Sequence, residues 1–448
     1  MMTVVQLALV LVIASLLSCA SASTKRSLPS NRQLLVGYWG QNAAGPTFGR
    51  LNYERDLRHF CNNYDFDIYV IAFVHRLFDV RNKGPDPKLP GMNFAHHCSY
   101  VPDANYPGIY ECATIGGGIR DCQKMGKKVI ISLGGDTCDG TLGSAANARA
   151  LAYNIWNMFL GGQDLPGKRP FLSAVLDGVD LDIEVGSYKY YPDFVREIRQ
   201  LMRTDSSRQY LITAAPQCPF PDKWMGPQTP GSALEEVGSE FDYLFIQFYN
   251  NYCYPGSSYF VSVMDTWLNW ANGITNGPKI ILGLPAGTGA AGKPHYYFTP
   301  EKLAEKYKLI RDKPGVSGIM LWDCSWAQNN KPNGNHYSEH AFKLVSGGTV
   351  KPPPVHPTTN APPQPPATTK APLATDKVTT TTKAPVTTSQ PSGPVSCSSL
   401  GDGTHPDPND CSKFVMCAGG VAYPNSCPAG LLYNKKTKNC DWPSNVTC

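Results

Sequence analysis

Short runs of apolar residues recur along most of the chain. Eight of them occupy residues 34–39, 68–74, 129–133, 175–183, 210–215, 244–249, 280–284 and 316–322. Several are separated by stretches with the spacing of amphipathic helices, at 145–160, 191–203 and 300–311. Alternating strands and helices over about 310 residues are typical of a barrel with eight β/α units. We therefore predict the α/β fold class, with a TIM barrel from about residue 34 to residue 344.

One of these runs, together with the residue that follows it, carries four acidic residues. In the stretch 177–184 (Asp-Gly-Val-Asp-Leu-Asp-Ile-Glu), Asp180, Asp182 and Glu184 share one face of the predicted strand, because successive side chains alternate between faces. The apolar start of the strand predicts that the acids lie toward its carboxyl end, where such barrels hold their active sites. Asp177 is an odd number of residues away and is predicted to be structural.

Three carboxylates on one buried face cannot all remain ionised without a large cost in free energy. At least one is therefore predicted to hold a proton near neutral pH. Such a group is a general acid, which glycosidic bond cleavage requires at the leaving oxygen. The alternative is a solvated edge strand or a calcium site. The cost of desolvating unpaired carboxylates and the alternating apolar residues disfavour it.

The pattern D-x-x-D-x-D-x-E in 177–184 resembles the catalytic strand of glycoside hydrolase family 18, the chitinases. The resemblance implies that Glu184 is the proton donor and that Asp182 orients the N-acetyl group of the substrate, which itself attacks the anomeric carbon. Asp180 would support Asp182 by sharing a proton. The family also implies retention of configuration, endo action on chitin and chitooligosaccharides, and no cofactor.

Further matches, to the plant-type class III chitinases of this family, lie at the ends of the other predicted strands. They cover residues 38–42, 132–135, 214–222, 247–251, 282–286 and 320–322. The resemblance assigns Tyr249 and Gln247 to the acetamido group and Trp322 to the floor beneath a sugar ring. Additional cleft residues expected on this basis are Tyr38, Phe73, Gly134, Gly135 and Met320. Core packing is the alternative for the aromatic residues.

Cysteine usage predicts disulfides rather than a metal site. Without Cys19, fourteen cysteines remain, eight before residue 330 and six after residue 390. The plant-type resemblance implies the pairs Cys61–Cys122, Cys98–Cys112 and Cys218–Cys253, and non-proline cis peptide bonds at Ala72-Phe73 and Trp322-Asp323. Cys138 and Cys324 have no counterpart in that pattern, so a bridge and free thiols are both open. We assign His96 and His97 to a surface loop rather than to zinc.

The ends of the chain and its composition indicate an extracellular protein. An apolar run at 3–17 followed by Ala-Ser-Ala at 20–22 predicts a signal peptide over 1–22, with a lipoprotein box at Cys19 as the alternative. The 448 residues are 42% hydrophobic and 17% charged, with a net charge of +5. A charge this small favours neither nucleic acid nor an anionic membrane as a partner. We expect a secreted monomer without a transmembrane segment.

Composition changes abruptly over 348–394, where Pro, Thr and Ala dominate and large apolar residues are almost absent. Such a segment cannot bury a core. We predict a mucin-like, O-glycosylated stalk, with an unglycosylated linker as the alternative. Either one separates a catalytic domain at 23–347 from a second domain at 395–448.

The last domain has six cysteines in about fifty residues, a size at which disulfides must replace a large core. Its cysteine spacing and the motifs at 410–414, 426–430 and 440–443 resemble the peritrophin-A chitin-binding module. That resemblance implies the pairs Cys397–Cys417, Cys411–Cys448 and Cys427–Cys440. Candidate sugar-stacking side chains, with the module core as their alternative role, are Phe414, Tyr423, Tyr433 and Trp442. Asn445 is a possible N-glycosylation acceptor.

Together these features predict a secreted endochitinase held on insoluble polymer by its C-terminal module. Two other functions stay open. One is a catalytically inactive chitin-binding or matrix protein, against which the joint presence of Glu184, Asp182 and Tyr249 argues. The other is lysozyme-type action on peptidoglycan, against which the animal-type chitin module argues.

Overall fold

The computed structural model describes residues 28–86, 88–165 and 167–348, and in the C-terminal part residues 397, 403–418, 421–427, 432–435, 439–441, 443, 446 and 447. The chain forms two compact units, one on either side of residue 358. The predicted signal peptide and, apart from Gly348, the predicted stalk lie outside the described residues. In the described part, no helix has the length and apolar character needed to cross a bilayer.

The first unit contains a closed barrel of eight strands, each parallel to the next. The strands are β1 (Leu34–Trp39), β2 (Ile68–Val74), β3 (Lys128–Gly134), β4 (Gly178–Asp182), β5 (Leu211–Ala214), β6 (Tyr243–Gln247), β7 (Lys279–Pro285) and β8 (Val316–Trp322). Hydrogen bonds between β1 and β8 close the ring. The TIM barrel prediction is confirmed.

Helices follow the strands. They are α1 (Gly45–Phe48), α2 (Leu57–Asn63), α3 (Ala113–Lys124), α4 (Ala145–Phe159), α5 (Tyr191–Arg203), α6 (Ala233–Val237), α7 (Phe260–Asn272), α8 (Pro300–Lys308), α9 (Cys324–Asn329) and α10 (Tyr337–Val345). Polar side chains fix some of their starts. Ser144 accepts the N–H of Asn147 at α4, and Asp323 accepts the N–H of Trp326 at α9.

The strands sort their side chains between two hydrophobic clusters. On β1, Leu34, Val36 and Tyr38 belong to a small cluster inside the barrel. Leu35 and Trp39 belong to the larger cluster between the strands and the helices. This is the period of two expected for a strand with apolar layers on both sides.

Three aspartates, which lie just before β2, β4 and β6, each hydrogen-bond to the strand that precedes theirs in the barrel. Each accepts the N–H of a residue at the start of the neighbouring strand: Asp67 from Leu35, Asp177 from Val129 and Asp242 from Ile212. Each also pairs with a cation, namely Arg32, Lys128 or Arg199. The prediction that Asp177 is structural is therefore confirmed.

Three strands, β4, β5 and β6, end earlier than their apolar runs predicted. β3 ends at Gly134, which pairs with Asp182, so β4 has no further parallel partner and also ends there. Glu184 consequently lies two residues beyond β4, and Tyr249 lies two residues beyond the end of β6 at Gln247. β4 also begins later than predicted, because the N–H of Leu176 bonds to the Phe159 carbonyl of α4 instead of to the sheet.

The cysteine predictions for this unit are confirmed. Disulfides join Cys61 to Cys122, Cys98 to Cys112 and Cys218 to Cys253. The two remaining cysteines, Cys138 and Cys324, are buried free thiols rather than a bridge. The two non-proline cis peptide bonds implied by the family are also present, at Ala72-Phe73 and Trp322-Asp323.

The C-terminal unit is built from short antiparallel strands. A three-stranded sheet has the order β11 (Val421–Ser426), β10 (Lys413–Ala418), β9 (Gly403–Pro406), and a hairpin pairs β12 (Leu432–Asn434) with β13 (Asn439–Asp441). Cys397, Cys411 and Cys427 are disulfide-bonded. The side chains of their predicted partners Cys417, Cys440 and Cys448 lie outside the described residues, so the three pairings stay predictions.

Candidate active site

Asp180, the first of the three acids on the inward face, is completely buried inside the barrel and accepts hydrogen bonds from three hydroxyl groups. Ser132 Oγ donates to Oδ2 at 2.6 Å, Tyr38 Oη donates to the same oxygen at 2.8 Å, and Thr213 Oγ1 donates to Oδ1 at 2.6 Å. Ser132 and Thr213 are the register partners of Asp180 on β3 and β5. Burial raises the pKa of Asp180, and the three hydroxyl hydrogen bonds oppose that rise.

The second acid, Asp182, lies one inward position further along β4 and is 4% exposed. Gln247 Nε2 donates to its Oδ1 at 2.9 Å and to the carbonyl oxygen of Ala215 at 3.0 Å. Burial, and then the negative charges of Glu184 and Asp180, raise the pKa of Asp182 well above its ordinary value. The predicted proton on the acidic face is thus favoured most strongly by the surroundings of Asp182.

The third acid, Glu184, is only partly buried, as a group that must reach a substrate should be. Gln217 Nε2 donates to its Oε2 at 3.1 Å, and Asn251 Nδ2 donates to Gln217 Oε1 at 3.1 Å. Burial raises the pKa of Glu184 and the Gln217 hydrogen bond lowers it, while the charges of Asp136 and Asp222 raise it further. The balance is a raised pKa, which suits a general acid.

Tyr249 lies just beyond β6 and is 7% exposed. Its pKa is raised well above the ordinary value by burial and by the charges of Glu184, Asp182 and Asp323, so the phenol keeps its proton. Among the described residues no hydrogen bond is made by its hydroxyl group. That O–H is therefore available to donate to a ligand placed beside the acids.

Three aromatic rings form a cluster at the mouth of the barrel. Phe73 stacks on Trp322 with ring centroids 5.9 Å apart, and Tyr38 meets Trp322 edge-on at 5.6 Å. Of the three, Trp322 has the greatest exposure, whereas Phe73 is 6% and Tyr38 1% exposed. Trp322 is placed to contact a ligand, and the other two rings support it.

The remaining predicted cleft residues are two glycines that contact the backbone of Asp182 and a methionine buried inside the barrel. Gly135 donates its N–H to the carbonyl oxygen of Asp182 at 2.8 Å. Gly134 has a φ of +125°, and a Cβ there would lie 2.0 Å from the same oxygen, so glycine is required. Met320 is 1% exposed and belongs to the cluster inside the barrel. These three residues position Asp182 and fill the interior.

A buried polar cluster surrounds Asp323, the residue that follows Trp322. Asp323 accepts hydrogen bonds from the N–H of Ala43 and from Ser325 Oγ. Burial and the charge of Glu54 raise its pKa to about 7. Glu54 accepts the N–H of Gly40 at 2.8 Å, and burial raises its pKa to about 8.

The surface-loop prediction for the two histidines is wrong for His97. Its side chain is 2% exposed, and Nε2 lies 3.0 Å from Glu54 Oε2. Burial lowers the pKa of His97 to about 4. His96 is exposed, as predicted. Within the described residues, no group of three or more His, Cys, Asp and Glu side chains is arranged to hold a metal ion.

In the C-terminal unit the structure describes two of the four candidate sugar-stacking residues. Tyr433 is 4% exposed and its ring stacks on that of Phe414, with centroids 4.9 Å apart. Tyr433 is therefore a core residue, because a sugar ring needs an exposed aromatic face. Phe414 is half-buried and stays a candidate. The side chain of Tyr423, and all of Trp442 and Asn445, lie outside the described residues.

Several residues at the site were missed as functional residues by sequence reasoning. They are Ser132, Thr213, Gln217, Asn251, Asp136, Asp323 and Glu54. Ser132, Gln217 and Asn251 stood inside stretches that resemble the plant-type family, which was the available signal. Thr213 stood in none of these stretches, and it lies beside Asp180 only through the register of β4 and β5.

Both parts of the chain match known families. Residues 36–293 match "Glycosyl hydrolases family 18", and residues 397–448 match "Chitin binding Peritrophin-A domain". The first match contains every residue of the acidic motif.

Full-length relatives agree with these matches. A Vitis vinifera protein named acidic endochitinase is 36% identical over 289 residues, which cover 64% of this chain and 84% of that protein. A Candida albicans protein named Chitinase 3 is 36% identical over 347 residues, or 75% of this chain and 54% of that protein. The chain spans about half the length of the yeast relatives it matches.

Solved structures share the barrel. A chitinase from Ipomoea carnea is 28% identical with a TM-score of 0.54, covering 70% of this chain and all (100%) of that one. A xylanase and α-amylase inhibitor protein from Scadoxus multiflorus is 27% identical with a TM-score of 0.53, covering 71% and 99%. One barrel thus occurs in proteins named for different activities. The match over more than half of the sequence nevertheless shows that this chain belongs to glycosyl hydrolase family 18 and carries a C-terminal peritrophin-A chitin-binding domain.

Proposed function

We propose that this protein is a secreted endochitinase that cleaves β-1,4 bonds between N-acetylglucosamine units. The single observation that carries the proposal is the pair formed by Glu184 and Asp182. Both carboxyl groups have raised pKa values, and Glu184 alone is partly exposed. A protonated, accessible carboxyl group next to a buried one is the arrangement that general acid catalysis of glycoside cleavage needs.

The proposed reaction is substrate-assisted. Glu184 protonates the glycosidic oxygen as the bond to the anomeric carbon breaks, and the acetamido oxygen of the same sugar bonds to that carbon to form an oxazolinium ion. Asp182 and the Tyr249 hydroxyl hold the acetamido group for this attack. Water, deprotonated by Glu184, then opens the oxazolinium ion with overall retention. The proton that Asp180 is proposed to share with Asp182 would keep Asp182 in place during these steps.

The chain's organisation supports a soluble enzyme that works on an insoluble polymer. We propose the signal peptide at 1–22, the catalytic domain at 23–347, the stalk at 348–394 and the binding domain at 395–448 as its functional parts. The peritrophin-A domain would bind chitin and keep the barrel near it, because a tethered enzyme has a high effective concentration at the polymer. The proposed ligands are chitin and chitooligosaccharides, with the protein acting as a monomer.

A second candidate is a protein that binds without catalysis. The likeness to the Scadoxus inhibitor favours it, since that protein has the same barrel at similar identity. Under this alternative the chain would be a catalytically inactive chitin-binding or matrix protein built on the same barrel. Glu184, whose carboxyl group is partly exposed, and Tyr249, whose hydroxyl group makes no hydrogen bond among the described residues, weigh against it.

Purified full-length protein incubated with insoluble chitin distinguishes the two. The proposal predicts soluble oligomers of several lengths from the start of the reaction, with products in the β configuration by NMR before mutarotation. Binding to chitin without any release of oligomers would contradict the proposal and support the second candidate.

A further inference from the structure

Two loops, which follow the two strands after β4 in the barrel, meet at the carboxyl group of Glu184. Gln217 follows β5 and Asn251 follows β6. Asn251 Nδ2 donates to Gln217 Oε1, and Gln217 Nε2 donates to Glu184 Oε2, both at 3.1 Å. Three side chains from three successive strand ends thus form one line of hydrogen bonds that terminates on the carboxyl group.

The direction of these hydrogen bonds is fixed by their surroundings. Asn251 Nδ2 also lies 3.5 Å from the carbonyl oxygen of Tyr249, so a reversed amide would set two oxygens against each other. The amide oxygen of Gln217 must then face Asn251, and its Nε2 must face Glu184. Glu184 Oε2 therefore receives an N–H whether or not the carboxyl group is protonated.

The backbone on either side of Gln217 is held firmly. Its N–H donates to Asp222 Oδ2 at 3.2 Å, and the next N–H, of Cys218, donates to the Gln247 carbonyl at 3.2 Å. The disulfide between Cys218 and Cys253 joins the two loops, with Cα atoms 6.0 Å apart. Gln217 is adjacent to one end of that bridge, and Asn251 is two residues from the other end.

We propose that Gln217 and Asn251 are positioning residues for Glu184, because their hydrogen bonds keep Oε2 as an acceptor and leave Oε1 to carry the proton that is donated to the leaving group. This inference rests on the proposed function of Glu184 as the general acid. It adds two residues to that site. It also implies that the Cys218–Cys253 disulfide, which joins the loops of these two residues, helps to hold them beside Glu184. An oxygen that already accepts an N–H is the weaker base of the pair.

The titratable groups that face Glu184 are all acids. Asp182 precedes it on β4, Asp136 follows β3, Asp222 follows β5 and Tyr249 follows β6. Burial and the neighbouring carboxylates raise the pKa of Glu184, and the hydrogen bond from Gln217 is the largest opposing influence, ahead of a smaller one from Gln247. Removal of that N–H must therefore raise the pKa further.

The test is the pH dependence of kcat on N-acetylchitopentaose for the full-length protein. Gln217→Met keeps the length of the side chain but removes the amide. We expect the basic limb of the profile to move up by about one pH unit and kcat on the plateau to fall about tenfold, with KM nearly unchanged. An unmoved basic limb in Gln217→Met would overturn the proposal.

Asn251→Leu provides a second, independent variant. It releases the Gln217 amide, so the basic limb should move in the same direction by a smaller amount. Because both residues act through one hydrogen bond, the double variant should shift no further than Gln217→Met alone. Additive shifts would contradict a common route. Gln200→Met, an exposed glutamine on α5, is the matched control and should leave the profile unchanged.

Titration of the Glu184 carboxyl carbon by ¹³C NMR separates this inference from the proposed function. The signal is assigned by its loss in Glu184→Gln. If the wild-type protein cleaves nothing, the proposed function fails, yet a higher Glu184 pKa in Gln217→Met would still support the positioning role. An identical Glu184 pKa in both proteins would refute that role even in an active enzyme.

Discussion

Gln247 donates a hydrogen bond to Asp182 across the inside of the barrel, with Nε2 and Oδ1 separated by 2.9 Å. The same amide nitrogen reaches the Ala215 carbonyl at 3.0 Å, so its orientation is fixed. Since Asp182 is 4% exposed, no solvent molecule can easily replace this donor. The orientation of the carboxyl group proposed to hold the acetamido group thus depends on one glutamine.

Replacement of this glutamine tests that dependence. In Gln247→Leu the buried Oδ1 loses its donor, which costs about 1–3 kcal/mol. We expect kcat to fall about ten- to hundredfold. If the loss acts through Asp182, adding Gln247→Leu to Asp182→Asn should reduce kcat little further, as steady-state kinetics on a soluble oligomer will show. If the kcat losses of the two single variants multiply in the double variant, Gln247 does not act through Asp182.

The polar cluster around Asp323 predicts how stability depends on pH. Glu54 and Asp323 have pKa values raised to about 8 and about 7, so the folded protein binds their protons more tightly than the unfolded chain does. Their contribution to stability is lost as the pH rises through these values. His97, lowered from 6.5 to about 4, has the opposite effect, but only below its ordinary pKa.

Between pH 6.5 and pH 8 the two carboxyl groups of this cluster therefore outweigh His97, and both favour a falling free energy of unfolding. Urea unfolding at the two pH values measures the fall, which is at most about 1.4 kcal/mol per pH unit for each group. Glu54→Gln should flatten the dependence, and Glu305→Gln, an exposed residue of α8, should not. A steeper fall in Glu54→Gln would show that the sign is wrong.

Sequence reasoning reached the barrel and the acidic face, because both follow from local patterns. The period of two placed Asp180 and Asp182 together inside the barrel, and the eight apolar runs gave the strand order. Sequence reasoning did not predict contacts between residues that are distant in the chain. Thr213 meets Asp180 only because of the register of β4 and β5, and His97 is buried against Trp39 and Glu54, which are distant from it in the sequence. Neither contact leaves a local signal in the sequence.

Sequence reasoning also failed to predict where some strands end. The apolar run at 244–249 predicted Tyr249 on a strand, and the alternation in 177–184 predicted Glu184 on one as well, but both residues lie beyond the last paired residues. A strand ends where its neighbour offers no further residue to pair with, and the last pair between β3 and β4 is Gly134 with Asp182. Both candidate side chains consequently lie on the loops that follow the strands.

The two compact units predict modular behaviour. Truncation after residue 350 should leave hydrolysis of short soluble oligomers unchanged and weaken retention on insoluble chitin, because the polymer-binding domain is lost. A pull-down on chitin beads compared with an oligomer assay measures both. Equal retention of the truncated protein would show that the C-terminal domain has another role.

The substrate-assisted mechanism predicts a requirement for the acetamido group. Fully deacetylated chitosan should not be cleaved, because no neighbouring oxygen is available to attack the anomeric carbon. A thiazoline mimic of the oxazolinium ion should inhibit competitively. Reducing-end assays on polymers of graded acetylation will measure this. A covalent sugar ester on Asp182, detected by mass spectrometry, would instead assign the nucleophile to the protein.

The central claim, that Glu184 is the general acid of a chitinase, is tested most directly by the kcat of Glu184→Gln on N-acetylchitopentaose relative to wild type. The replacement keeps the size of the side chain and removes the proton to be donated. We predict a loss of at least about a hundredfold with oligomer binding retained, and no loss in the Glu305→Gln control. Turnover of Glu184→Gln near the wild-type rate would contradict the claim.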